Sequence, residues 1–451
     1  MFRVGTEAAA LSRAQRLNAL QRIISRDQVK DVLRKAGQAD AVCPRLPALF
    51  MVFFVLALGL FCTDCYRQVF RWLKRWKKKA VPGRSTLCEA RRRVGVKPLV
   101  LLAHQVVRLL AEPQTPLAFH RGMRLMALDG FVADLPDTPE NDRVFGRPQG
   151  GRSPGAFPQA RVVGLCEAGT HVMWRWLIKP LRIAEQPMAD YLLRFLTAGM
   201  LLLWDRNFLS YARVQRVITQ QAALLARVRK GLIFRPIQAL GDGSYLAKLY
   251  RNATDRKHDR DGIVVRILDY TFDDPGRPGH GEEHRLLTTL LDPALDPATT
   301  LIELYHVRWE EELAFDELKT HQMQRPVLRS QTPAGVVQEM YALLIDHFVI
   351  RTLMAEAAQQ AQVPPVRMSF VATLKILRCR IPECPRRRAA QRRWWRDLLG
   401  EIAEEILPPR RNRINPRVIK QKMSKWKKKR PEHRHYPQPS KPLVASVVMI
   451  R

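Results

Sequence analysis

At 451 residues and 46% hydrophobic content, the chain is long enough for two to four domains and too apolar to be a disordered protein. Its formal net charge of +34 calls for a polyanionic partner, nucleic acid first and an anionic membrane a distant second. Charge of this size implies binding that weakens steeply with salt through counterion release, and it carries no sequence preference. The seven cysteines are odd in number and scattered, which points to free thiols in a reducing compartment. Cys62-x-x-Cys65 and the Cys379/Cys384 pair lack a second matched pair, or a His at finger spacing, that zinc would need.

Helix formers dominate residues 8–36. The apolar run LPALFMVFFVLALGLF, Leu46 to Phe61, falls short of the roughly 20 residues of a spanning helix and reads as a buried helix of an N-terminal bundle. No cleavable signal peptide is expected, since the first apolar run begins near Leu46. Asp64 to Lys79 reads as an amphipathic helix in which Tyr66, Phe70, Trp72, Leu73 and Trp76 interleave with Arg67, Arg71, Lys74 and Arg75, a mixture that suits a phosphate backbone. The next segment, VPGRSTLCEARRRVGVKPL, supplies a turn, an N-cap at Ser85 and a helix carrying Arg91, Arg92 and Arg93 that ends near Gly95. Helix, turn and basic helix make a DNA-docking unit. A solvated basic face is the competing reading.

After a helix over Leu99 to Ala111, the pattern changes to strands. Arg124 to Val132 contains Asp129 just before Gly130, and ARVVGLCE with HVMWRWLIK forms a hairpin around Ala168-Gly169-Thr170. Pro187 to Thr197 is helical, MLLLW is a short buried strand ending at Asp205, Leu209 to Gln220 is a helix and Ala223 to Lys230 a further strand. Three strands, helix, strand, helix, strand is the order of a ribonuclease H-like mixed sheet. An acid at the end of a buried strand costs free energy unless paired or metal-bound, so Asp129 and Asp205 are metal-ligand candidates, with turn residue or helix cap as the alternative. Between 232 and 299 lies β-rich material with strands at Tyr245 to Tyr250, Ile263 to Phe272 and Arg285 to Leu291.

Leu301 to Met323, LIELYHVRWEEELAFDELKTHQM, has no Gly or Pro and reads as one helix. At roughly 100° per residue, Tyr305, Arg308, Glu312 and Lys319 fall within an arc of about 60°. A phenol, two cations and a carboxylate so aligned suit a phosphodiester held beside a metal; an ion-paired surface helix is the alternative. With Asp129 and Asp205, Glu312 makes three carboxylates, the oxygen set that two Mg²⁺ ions require for in-line phosphoryl transfer. Asp134, Asp137, Glu310 and Glu311 compete for these roles. Helices follow at Pro333 to Gln359 and Met368 to Leu377. The rest is intensely basic, with Arg386 to Arg388, Arg392, Arg393, Trp394 and Trp395, then Arg410, Arg411, Arg413 and KQKMSKWKKKR, and reads as either a DNA-binding region or a solvated tail. No internal repeat is present.

The four signature residues fit the spacing Tyr-x2-Arg-x3-Glu-x6-Lys without a gap. They are joined by LDGFVADLPDT, FPQARVVGL, the Gly169-Thr170-His171 turn, WDRNF, RLLTTLLDP, AFDELKTH and NPRVIKQKMSKWKKKR. On these motifs, over about residues 45 to 430, the chain resembles the DDE transposases of bacterial insertion sequences, specifically the insertion-sequence-four family.

The resemblance implies an α/β protein: a ribonuclease H-like mixed-sheet core interrupted by a β-rich insertion and flanked by an N-terminal helical domain and a basic C-terminal helical region. The expected parts are an N-terminal DNA-binding domain at 1–118, the core at 119–231 and 300–345, the insertion at 232–299, and the C-terminal region at 346–451. It implies an enzyme that binds terminal inverted repeats and carries out cut-and-paste transposition by metal-dependent DNA cleavage and strand transfer. Asp129, Asp205 and Glu312 would be catalytic and would bind two Mg²⁺, with Mn²⁺ a substitute; Tyr305, Arg308 and Lys319 would hold DNA phosphates. The implied partners are double-stranded DNA, as transposon ends and target, and a second copy of the chain in the synapse. Pro333 to Leu377 would be the contact surface, and Arg91, Arg92 and Arg93 are assigned to end recognition. No membrane is involved, and the location is cytoplasmic and nucleoid-associated. Hairpin-forming members stack a flipped base on a tryptophan of the insertion, but none lies between Trp204 and Trp309 here, so Tyr270 or Phe272 is expected instead. A nuclease of the same fold that cuts without strand transfer, and a non-enzymatic DNA-binding derivative, are the other readings.

Overall fold

The computed structural model describes residues 20–38, 46–73, 81–149, 155–229, 231–307, 309–385, 387–408, 418–419, 427–428, 430–435 and 437–450, without the side chains of 307–312, 388, 418–419, 427–428 and 434–435. The N-terminal part is helical: α1 (Arg26–Lys35), α2 (Ala48–Leu60), α3 (Tyr66–Leu73), α4 (Arg84–Val94) and α5 (Lys97–Val106). Strands then dominate, in the order β1 (Phe119–His120), β2 (Met123–Asp134), α6 (Pro139–Phe145), β3 (Gln159–Glu167), β4 (Val172–Pro180), α7 (Glu185–Leu192), β5 (Met200–Trp204), α8 (Tyr211–Thr219) and β6 (Ala223–Arg227). Next come β7 (Pro236–Ala239), β8 (Tyr245–Leu249), α9 (Ala253–Lys257), β9 (Ile263–Phe272) and β10 (His284–Thr288). The signature stretch forms α10 (Ala298–Val307) and α11 (Trp309–Asp316) on either side of residue 308, then a π-helical turn, Glu317–Gln322. Last are α12 (Pro333–Ala361), α13 (Phe370–Arg380), α14 (Arg388–Ala403) and β11 (Val447–Met449). The chain divides into two compact units, one of residues 1–122, 128–192 and 310–407, the other of 123–127, 193–309 and 408–451.

The first unit is built around α12, whose start is fixed by Thr332 accepting from the Gly335 amide. Apolar α2, buried at almost every position, packs against it, and its Phe50 and Phe54 rings meet Phe70 of α3 edge-on at 5.4 and 6.4 Å. A helix apolar on all sides belongs inside a core. Among the described residues no helix is long and apolar enough to cross a membrane. α1 opens on a reciprocal cap in which Ser25 and Gln28 each accept the other's amide. β3 and β4 form the expected antiparallel hairpin, with an irregularity between Leu165 and Cys166, and β2 lies beside β3. The basic stretch near 390 is α14, a helix whose Trp394 and Trp395 are buried in this core while Arg392, Arg393 and Arg396 face out. The charge run at 77–79, the Arg410–Arg413 segment and most of the final basic run lie outside the described residues.

In the second unit the start of β2 borders β5, with the Arg124 amide donating to the Gly199 carbonyl at 2.7 Å. β5 and β6 are parallel, as a wholly buried apolar strand after a helix should be. β10 runs antiparallel between β6 and β9, and β8 and β7 extend the sheet, so the β-rich segment continues it edge to edge. Buried Arg266 donates to Ser244 and to the Asp296 carbonyl and pairs with Asp242, which also accepts from the Ala298 amide and so caps α10. β11 pairs with the end of β9, and Asp274 accepts from the Ser440 and Lys441 amides.

Candidate active site

In the first unit, β2 carries Asp129, half-buried, with Oδ1 accepting from the Gly130 amide at 2.8 Å. Glycine is required next to it, because a Cβ at 130 would come within 2.9 Å of the Val162 carbonyl on β3. Phe131 lies two residues on, and so on the same face of the strand as Asp129. Its ring packs on Phe315 of α11, centroids 5.1 Å apart, and lies beneath the Lys319 ammonium, 5.7 Å from Nζ. The strand bearing one candidate acid is thereby tied to the helix bearing another, through an aromatic pair three residues beyond Glu312. Glu312 is helical in backbone; its side chain, with those of Glu310 and Glu311, lies outside the described set, as does Arg308 entirely. Of the other acids weighed, Asp134 accepts from Gln159 at 2.8 Å and Asp137 is an exposed partner of Arg147.

The π turn that carries Lys319 is fixed from inside. Glu317 is buried and accepts from Arg351 on both carboxylate oxygens, while His347 Nε2 lies 3.0 Å from Oε2 and His171 Nδ1 3.2 Å from Oε1. Burial raises a carboxyl's pKa, but Arg351 and then His171 outweigh it and hold Glu317 well below the usual carboxylate range. Burial, in turn, keeps the His347 imidazole pKa low. The sequence reading missed Glu317, His347 and Arg351 and saw His171 only as a turn residue. A signal was present: Glu317 is bracketed by Ala314, Phe315 and Leu318, all on the packed side.

In the second unit Asp205 follows β5 directly, half-buried, with Oδ1 accepting from the Arg206 amide at 2.7 Å. Arg229 holds this loop by donating to the Arg206 carbonyl at 3.0 Å and to Asn207 Oδ1 at 3.1 Å. Tyr305 on α10 is only 4% exposed, and its hydroxyl donates to the Trp204 carbonyl at 3.5 Å, so the phenol sits at the residue before Asp205. Within single units, then, the structure brings Tyr305 to Asp205, and Lys319 to the strand of Asp129. Among the described residues no three His, Cys, Asp or Glu side chains converge as a metal cage. The three acids named from sequence are all oxygen donors, and in each aspartate the neighbouring amide engages Oδ1, so the donor chemistry fits a hard cation such as Mg²⁺.

Two expectations need correction. Arg91 is not a DNA-facing residue: it is 4% exposed and donates to Gln338 Oε1 at 3.0 Å, Ser330 Oγ at 3.0 Å, the Gly335 carbonyl at 2.5 Å and Tyr66. Leu87, Arg91 and Val94, at i, i+4 and i+7, share one helical stripe, and that stripe is the packed one. Arg92 and Arg93 remain at the surface. Tyr270 and Phe272, expected to stack a base, are each 3% exposed and pack with His284 inside the second unit. Burial likewise pushes the Cys62 thiol up to about 12, while Cys65 is exposed.

Residues 120–347 match the family described as the transposase DDE domain, and residues 14–103 match the insertion element 4 transposase N-terminal family. Over 434 residues the chain is 26% identical to the transposase InsG for insertion sequence element IS4 of Escherichia coli K12, covering 91% of this chain and 93% of the relative. A putative transposase of the same organism, InsZ, is 28% identical over 129 residues, covering 28% and 43% of the two chains. A solved piggyBac transposase synaptic complex with hairpin DNA is similar at a TM-score of 0.46 and 11% identity, over 88% of this chain and 86% of that one.

Proposed function

Because this chain belongs to the DDE transposases of the insertion-element-4 family, we propose that it binds the terminal inverted repeats of an insertion sequence and moves that element by DNA cleavage and strand transfer. The observation that carries the reading is the mounting of the acids: Asp129 on a strand tied through Phe131 to the helix of Glu312, and Asp205 at the end of β5 beside Tyr305. Asp129, Asp205 and Glu312 would together hold two Mg²⁺ ions. When bound, these supply an activated attacking oxygen and stabilise the leaving oxygen of an in-line displacement. Lys319 presents its ammonium from the Phe131 ring to a phosphate oxygen, and Arg308, which sequence spacing aligns with Tyr305 and Glu312, would add a planar, bidentate donor. The Tyr305 hydroxyl must leave the Trp204 carbonyl to reach a phosphate; in its present position it steadies the end of β5.

In this proposal the core is ribonuclease H-like, the N-terminal helical domain engages the ends, two copies form the synapse through the α12–α13 region, and the enzyme works on bacterial DNA in the cytoplasm. With Tyr270 and Phe272 buried, no hairpin step is assigned to them. The test is cleavage and strand transfer on a plasmid carrying the element's own ends, with Mg²⁺, for wild type against Glu312→Gln. Retained end binding with loss of both nicks and integrants is expected, and full activity of the variant would overturn the reading. Wild-type nicks without integrants would indicate a nuclease of the same fold.

A further inference from the structure

The first unit contains a cleft of about 490 Å³ between the start of α3, the outer face of α4 and the segment from Arg325 to Gln338 that leads into α12. Six arginines line it, Arg67, Arg84, Arg91, Arg92, Arg325 and Arg329, against a single carboxylate, Asp64. Three of the six are committed elsewhere: Arg91 to the hydrogen bonds given above, Arg329 to Glu339 at 3.3 Å and the Leu58 carbonyl at 2.5 Å, and Arg325 to the Thr63 carbonyl at 2.9 Å. Asp64 accepts from the Trp72 indole at 2.7 Å. Arg67, Arg84 and Arg92 are exposed and have no ion-pair partner among the described residues. Three like charges gathered on one cleft destabilise the chain unless an anion joins them, and guanidinium groups suit the paired oxygens of a phosphate.

We infer that this cleft is a phosphodiester-binding site that grips the DNA backbone through Arg67, Arg84 and Arg92, with the Arg91 bolt holding α4 against the start of α12 as its floor. Its volume is that of a small-ligand site, so it takes a short run of sugar-phosphate and not the full width of a duplex. The inference takes from the preceding section only that the substrate is DNA. Contacts of this kind position the duplex and read no sequence.

The cleft carries its own reporters. Cys65 is exposed and Cys88 half-buried in its wall, whereas exposed Cys379 on α13 does not line it, and Cys62, Cys166 and Cys384 are buried. In a Cys43→Ser background of the full chain, maleimide labelling is followed without divalent metal, which separates binding from any failure of cleavage. Duplex DNA at ten times its Kd should slow labelling of Cys65 and Cys88 about elevenfold and leave Cys379 unchanged. Arg67→Gln/Arg84→Gln/Arg92→Gln, all at exposed positions and sparing Arg91, should abolish that protection. It should also lower the log–log salt slope of DNA binding by roughly 2.7, at about 0.9 per phosphate contact. Equal protection of Cys379, protection by millimolar inorganic phosphate with none by DNA, or an unchanged salt slope in the triple variant would each overturn the inference.

Discussion

Glu317→Gln isolates the buried charge cluster behind the π turn. The substitution keeps the side-chain volume and leaves the Arg351 guanidinium, 2% exposed, facing a neutral amide. Removing one partner of a buried ion pair costs about 3–5 kcal/mol, and a retained neutral hydrogen bond returns about 1 kcal/mol. The expected loss is therefore about 3 kcal/mol near pH 7.5, or roughly 5 °C in Tm for a unit of this size. Calorimetry as a function of pH checks both size and sign. The folded pKa of Glu317 is depressed, so its contribution is fully present above the unfolded carboxyl value of about 4.3 and is lost as pH falls through the folded value. The gap between wild type and variant should hold at neutral pH and close below about pH 4. Burial lowers the His347 value and Glu317 opposes it, so both proteins lose stability as pH falls below about 6.5, and the variant, lacking that carboxylate, loses somewhat more before the Glu317 contribution is itself lost. Because the turn carries Lys319, end cleavage at 20 °C, where both proteins are folded, should also fall. A gap under about 1 kcal/mol at pH 7.5, or one that has not narrowed below about pH 4, would refute the reasoning.

Phe131→Leu removes the ring beneath Lys319, a contact worth about 0.5–1 kcal/mol, and should slow end cleavage about two- to fivefold while metal binding is unchanged. In a Lys319→Met background the same change should do nothing further; additive losses in the cycle would show that Phe131 does not act through the lysine. Asp346 is buried in α12, and neither carboxylate oxygen has a hydrogen-bond partner among the described residues. Burial raises its pKa well above the ordinary value, so the acid costs most at neutral pH. Asp346→Leu should stabilise by about 1–3 kcal/mol at pH 8, with the gain shrinking as pH falls towards the unfolded value of about 3.9. Chemical denaturation at the two pH values decides it, and a variant less stable at pH 8 would count against the assignment.

The strand-end position of Asp205 and the packed identity of α2 were legible because each rests on a short apolar run with clear boundaries. Local pattern was insufficient where a partner distant in sequence decided the outcome. Three consecutive arginines do not announce that the first of them will meet Gln338 and Ser330, although its place on the stripe of Leu87 and Val94 hinted at it. Tyr270 and Phe272 sit in IVVRILDYTF, apolar on both faces; periodicity alone could not say that His284 and His306 would enclose them. Trp394 and Trp395 were submerged in a field of arginines, and only the packing of α14 on α12 separates the buried ring pair from the exposed charges. The Glu317 cluster joins residues 30 to 180 positions apart, beyond the reach of any window.

β11 covers the far end of β9, and Asp274 takes its amide donors from Ser440 and Lys441. The order of synthesis therefore matters. β9 leaves the ribosome long before the strand that completes its edge, and until then it offers unpaired backbone groups to any extended chain nearby. A nascent chain that stops short of Ser440 would keep that edge bare and leave the Asp274 carboxylate without these amides. Residues 440–449 thus act as a seal, and a chain interrupted before them would keep Asp129 and Asp205 yet carry a sheet prone to stick to its neighbours.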